Sequence, residues 1–172
     1  FGCMIDVMIQ AMGCGLTDIA SIQLSNSGAS NLTPVWADEG INLNVDYHNI
    51  VHDYNNDPGN GTILNRRRQV ETFFYSMFAY LLEQLEATPE GAGTMLDNSI
   101  VVWMKPIAWK HRFEEFLFMI AGSGGGQIET GRFLSFPGQP HNNLLVNLCN
   151  LMGLDDQTYG DAQYCTGPLD LS

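Results

Sequence analysis

Two imidazoles four residues apart carry the strongest chemical signal in this chain: His48 and His52, in the stretch YHNIVHDYNN (47–56). Imidazole nitrogen is a frequent ligand for zinc-type ions and a proton carrier near neutral pH. A catalytic zinc takes about three protein ligands and keeps a further position for water. His48 and His52 offer two ligands, and Asp46, Asp53 or Asp57 offers a carboxylate for a third. The H-x-x-x-H spacing puts both rings on one side only if the segment is helical. Asn55, Asn56, Pro58 and Gly59 read against much helix, so the pair reads as an eroded metal motif in a polar loop. Two further histidines are His111, in WKHRF, and His141, which opens a helical pattern in QPHNN. A histidine at a helix start more often caps or hydrogen-bonds than coordinates.

Other candidate motifs are weaker. GSGGG (122–126) looks superficially like a phosphate cradle, but no G-K-[ST] follows it and no G-x-G-x-x-G opens a helix. It reads as a flexible connection. Arg66, Arg67 and Arg68 form the one basic cluster, at the head of a helical pattern, and read as a solvated or acid-paired turn. Asn31 and Asn60 match the N-x-[ST] acceptor pattern, most simply by chance. Of four cysteines, none forms C-x-x-C, which excludes zinc-ribbon and thioredoxin motifs. Cys3 and Cys14 sit in an apolar stretch and read as buried free thiols. Cys149 and Cys165 form the more favourable disulfide pair.

Several elements must position these residues. Residues 4–15 read as a short helix stopped by glycine, and 19–25 (IASIQLS) as a strand. From 26 to 65 the chain reads as one long irregular loop rich in Asn, Gly and Pro. A long helix follows over 66–88. Its apolar residues Val70, Phe73, Phe74, Met77, Phe78, Leu81, Leu82 and Leu85 recur at three- and four-residue spacing. Residues 99–104 and 115–126 read as apolar strands, 127–136 as a hairpin arm, and 141–153 as a last helix. Helices alternating with hydrophobic strands imply one α/β domain over 1–172, with helices on the faces of a sheet. Three strands make a thin sheet, which either further strands within the long loop or another polypeptide would complete.

Composition narrows the function classes. At 172 residues, 45% hydrophobic and only 15% charged, the chain is globular and carries less charge than a typical soluble surface. Nineteen acids against seven bases give a net charge of −12, which excludes nucleic acid and disfavours anionic membranes as partners. No apolar run reaches the ~18 residues a membrane span requires. The start at Phe1 rather than Met suggests processing or a missing beginning.

The order of these segments resembles the C-terminal part of the HXXSHH family, bacterial proteins of unknown function related in fold to alkaline phosphatases and sulfatases. The likeness runs through MIDVMIQAMGCGLTDIASIQLSNSG, HNIVHD, FAYLLEQLEATPEGAGTMLDNSIVVW, FLFMIAGSGGGQIETGRFLSF and PHNNLLVNLCNLMG. It implies a partial alkaline-phosphatase-like sandwich with a mostly parallel sheet, an exported location (periplasmic or cell-surface), and a longer parent protein. It also implies divalent-metal hydrolysis, with His48, His52, Asp53 and His111 as the matching ligand positions. The departures are specific: Val51 stands for the motif serine, Asp53 for its last histidine, and Phe113 for the second histidine of an H-x-H pair. Lys105 and Pro106 replace small or polar residues.

Two expectations follow. The first is a non-catalytic structural or accessory subunit of an extracytoplasmic assembly, without a cofactor. It would pair with other subunits or with its own N-terminal fragment, and the four ligand positions would be vestigial. The alternative is a phosphate or sulfate ester hydrolase that depends on a divalent metal such as zinc or calcium.

Overall fold

The computed structural model describes residues 2–24, 41, 43, 45–105, 111, 112 and 114–171. The Asn31 acceptor motif, Pro106 and Phe113 lie outside them. The chain divides into two compact units, 1–95 with 106–112 and 96–105 with 113–172.

The first unit is built on three helices, α1 (Gly2–Gly13), α2 (Tyr47–Asn56) and α3 (Gly61–Ala87). Asn60 starts α3 by accepting from the backbone N–H groups of Thr62 and Ile63, at 3.1 and 3.3 Å. These are amides that the helix itself leaves without partners. The apolar stripe expected on α3 does form the core: Val70, Phe73, Phe74 and Leu85 are buried. Removing each such side chain from water stabilises the fold by roughly 1.5–3 kcal/mol. From α1 come Ile5 and Ile9, and from α2 comes Ile50, all buried. Tyr47 meets Phe74 edge-on, with ring centroids 5.5 Å apart. Helix α1 stops as its glycines predict. Gly15 takes φ 68°, Leu16 N–H reaches Ala11 O and Gly15 N–H reaches Met12 O, both at 2.9 Å. That pair of bonds is the Schellman arrangement. Two short strands, β1 (Pro89–Glu90) and β2 (Gly93–Thr94), close a turn after α3.

After α4 (Met95–Asn98), the second unit holds β3 (Val101–Met104), β4 (Phe118–Ala121) and α5 (Asn142–Leu151). β3 and β4 pair antiparallel, with Val101 opposite Ala121 and Met104 opposite Phe118. Asparagines on α5 tie down the C-terminal segment. Asn143, 2% exposed, accepts from Thr166 N–H at 2.9 Å and donates to Thr166 Oγ1 at 2.8 Å. Asn147 exchanges two bonds with the Leu169 backbone, and Asn150 two with that of Asp156.

This architecture overturns the α/β expectation. The described residues are mostly helical, with two small antiparallel two-stranded ladders and no parallel sheet or sandwich. Residues 19–24, read as a strand, make no ladder, nor do residues 127–136. Alternation of apolar residues marks a half-buried segment, but a strand also requires a neighbour to accept its hydrogen bonds. The irregular stretch expected up to residue 65 contains all of α2 and the first turn of α3. The cysteines differ as well. Cys3 and Cys14 are exposed rather than buried, and all four thiols are free, Cys149 and Cys165 included.

Candidate metal centre

The histidine pair sits on a helix after all. Asp46 caps it: its Oδ1 accepts from Asn49 N–H at 2.9 Å, and its Oδ2 accepts from the Asn49 side chain at 2.6 Å. Pro58 and Gly59 fall beyond the C-cap, Asp57, so they end the helix rather than prevent it. With the helix formed, four-residue spacing sets the two rings edge to face, at an interplanar angle of 63°. Nε2 of His52 lies 3.1 Å from Nε2 of His48, and the ring centroids are 4.6 Å apart.

A third imidazole joins them from outside the helix. His111 lies 4.9 Å from the His52 ring and 5.4 Å from the His48 ring, centroid to centroid. One ligand nitrogen from each of the three lies within 4.8 Å of the others. All three belong to the first unit. His48 and His52 are half-buried and His111 is exposed. His111 holds a left-handed backbone, φ 59°, a region that residues other than glycine occupy rarely and at a cost of about 1–3 kcal/mol. Such strain concentrates where surrounding structure fixes a side chain for use.

The donor set fits a zinc-type ion. At Zn–N bond lengths of about 2.0–2.1 Å, tetrahedral geometry separates two ligand nitrogens by about 3.3 Å. The 3.1 Å between the helical pair is close to that, and a His111 nitrogen lies within 4.8 Å of both. Three neutral nitrogens suit a borderline ion better than calcium, which takes six to eight oxygens. One turn beyond His52 on the same stripe, Asn55 carries a buried side-chain oxygen with no hydrogen-bond partner. A buried acceptor left unmatched is the environment in which an ion or its water is expected.

Bracing from α3 fixes the orientation of α2. Tyr47 Oη donates to Glu71 Oε1 at 2.7 Å, and Arg67 Nε donates to the same oxygen at 3.1 Å. The Arg67 guanidinium lies 4.6 Å over the Tyr54 ring. Arg67 is thus acid-paired, one of the two readings of its cluster, but within α3 and not at a turn.

Of the four positions suggested as ligands, the structure gathers His48, His52 and His111. Asp53 is exposed and lies outside the cluster. Three or four places later than His52 would suit the helix face; one place later, Asp53 is turned about 100° away. His141 stands in the second unit, N-terminal to α5, without a side-chain capping bond. Its ring packs instead on Phe116, with centroids 5.1 Å apart. The glycine loop is no anion cradle. Gly124 and Gly125 N–H groups bond to Ser99 O and Asp97 O at 3.0 and 2.8 Å, and Gly126 N–H to Ser123 O at 3.0 Å. At Gly122 a Cβ would collide with the carbonyl oxygens of Ser99 and Leu96, so the start of the loop is packed close, while Gly125 and Gly126 border open space. The bracing by Tyr47 and Glu71 had no signature in the sequence, because their bond forms only where α2 packs on α3.

No family model, curated protein or solved structure matches the chain.

Proposed function

We propose that this protein binds a zinc-type divalent ion through His48, His52 and His111, and that the centre serves metal-assisted hydrolysis. The observation that carries the reading is the convergence of the three imidazoles within one unit, with their ligand atoms within 4.8 Å. An ion held by three protein ligands keeps a position for water and makes that water a nucleophile near neutral pH. The protein's own part is to hold neutral nitrogens in place, through the Asp46 cap and the Glu71 brace. Phosphate or sulfate esters are the substrate class that the HXXSHH resemblance adds. Val51 offers no hydroxyl, so a bound water rather than a side chain would attack.

The test is zinc titration of metal-stripped protein, followed by calorimetry. About one equivalent is expected to bind. His111→Ala should weaken binding by at least about a hundredfold, more than loss of an outer-sphere partner costs. A well-folded protein that binds no zinc, or binds it equally well without His111, defeats the reading.

A second reading rests on a different observation. Among the described residues twelve large apolar side chains are exposed, against eleven apolar side chains buried. That balance favours a subunit whose surface is covered in an extracytoplasmic assembly, and a metal centre is compatible with it. Native mass of the protein isolated from its source tests it. A large complex of fixed stoichiometry supports the subunit reading, and a discrete 19.0 kDa species counts against it.

A further inference from the structure

Helix α1 is apolar on both sides. Ile5 and Ile9 face the core. On the rest of the helical circumference lie Met4, Val7, Met8 and Ala11, spaced i, i+3, i+4, i+7, with Met4 and Val7 exposed and Met8 and Ala11 half-buried. Val7 is 69% exposed and Met4 55%. Asp6 and Gln10 are the only side chains in α1 that carry a charge or an amide. A helix that is hydrophobic all round is ordinarily buried all round. The outer face also borders a groove of about 450 Å³ lined by Cys3, Met4, Val7, Met8, Ser21 and Ile22. Its apolar spacing is that of a ridge which accepts another helix.

Charge indicates what that helix is. Residues 1–65 contain no lysine or arginine, and they contain seven acids: Asp6, Asp18, Asp38, Glu39, Asp46, Asp53 and Asp57. A second copy would bring the same acidic segment against itself, and −12 of net charge against −12. Methionine adds adaptability, because its unbranched, polarizable side chain repacks around varied apolar anchors. Asp6, exposed on the same helix, the lack of any lysine or arginine in residues 1–65 and a Met-rich apolar ridge together complement a helix with an apolar face and lysines or arginines along its flanks.

We propose that the outer face of α1, Met4, Val7 and Met8 with the groove beside them, is a docking site for a basic amphipathic helix of another polypeptide. This site is separate from the histidine centre and does not depend on it.

The probe is a synthetic amphipathic Leu/Lys peptide of about 18 residues, long enough to be helical when bound. Its controls are a Leu/Glu peptide with the same apolar face and a scrambled Leu/Lys peptide of the same composition. Calorimetry of the full chain at physiological salt should show saturable one-to-one binding of the first peptide alone. Val7→Glu should weaken it about tenfold or more. Cys3 lines the groove and is exposed, so its alkylation by iodoacetamide gives a footprint that requires no variant. Bound peptide should slow that reaction. Equal binding of either control, unchanged Cys3 reactivity at saturation, or unchanged affinity in Val7→Glu overturns the proposal. So does a dimer at physiological salt that Val7→Glu dissociates, because the occupant would then be a second copy.

Discussion

His48 can reach His52 only while α2 is a helix, and one side chain at its start decides how firmly it is one. Asp46 satisfies the Asn49 amide, and its negative charge sits at the positive end of the helix dipole. Asp46→Ala should therefore cost about 1 kcal/mol in chemical denaturation. Asp46→Asn should retain most of that, since its oxygen still caps. Zinc affinity should follow the same order, with a smaller loss than His111→Ala causes, because the cap orients ligands without being one. Equal affinity in Asp46→Ala and the parent would mean that α3 alone holds α2 in place. At this scale the sequence supplied the histidines but not their geometry. The Asp46-x-x-Asn49 start and the Pro58-Gly59 stop both bracket a helix, yet the asparagines between them suggest loop. What outweighs their low propensity is tertiary: Ile50 is 1% exposed against α3, and Tyr47 is held by Phe74 and Glu71.

Between elements, the contact of α1 with α3 has a built-in pH dependence. Tyr80 on α3 donates to Asp6 Oδ1 on α1 at 2.7 Å. That hydrogen bond, then burial and the Asp6 charge, raise the Tyr80 pKa above its usual 10.0, because each favours the protonated phenol. A group whose pKa is raised by folding binds more protons in the native state. Its contribution is complete below pH 10.0 and is lost as pH climbs through the higher folded value. Denaturation midpoints should thus fall more steeply above pH 10 in the parent than in Tyr80→Phe, which lacks the titrating group. Parallel curves would show the bond to be absent in solution. Element by element, legibility tracked how local the signal was. The α3 stripe and the Gly15 stop are properties of consecutive residues, so spacing alone revealed them. Strand pairing is not local. Val101–Met104 and Phe118–Ala121 were recognisable as apolar runs, but nothing in either run says that it pairs antiparallel with the other. Equally hidden was the use of Asn143, Asn147 and Asn150. Their i, i+4, i+7 spacing marks a helix face, whereas their partners lie 6 to 23 residues downstream.

Across the whole molecule, apolar exposure and charge act against each other. Phe133 is 83% exposed, and Leu16, Ile19, Leu117 and Leu154 are exposed with it. Hydrophobic attraction at such side chains favours association at roughly 25 cal/mol for each Å² of apolar surface covered. Net charge of −12 opposes it by repulsion between copies, over a Debye length of about 8 Å at physiological ionic strength. Salt weakens the second effect and spares the first. Raising sodium chloride to about 1 M, where the Debye length is about 3 Å, should therefore drive reversible association detectable by light scattering. Dilution into low salt should restore the starting mass. A basic partner would act in the opposite sense to salt, covering apolar surface while cancelling charge at the same place, so its saturation should suppress the salt-driven association. Association unaffected by salt would instead require contacts in which charge plays no part. In that case acidity would not be what keeps this surface available to a partner.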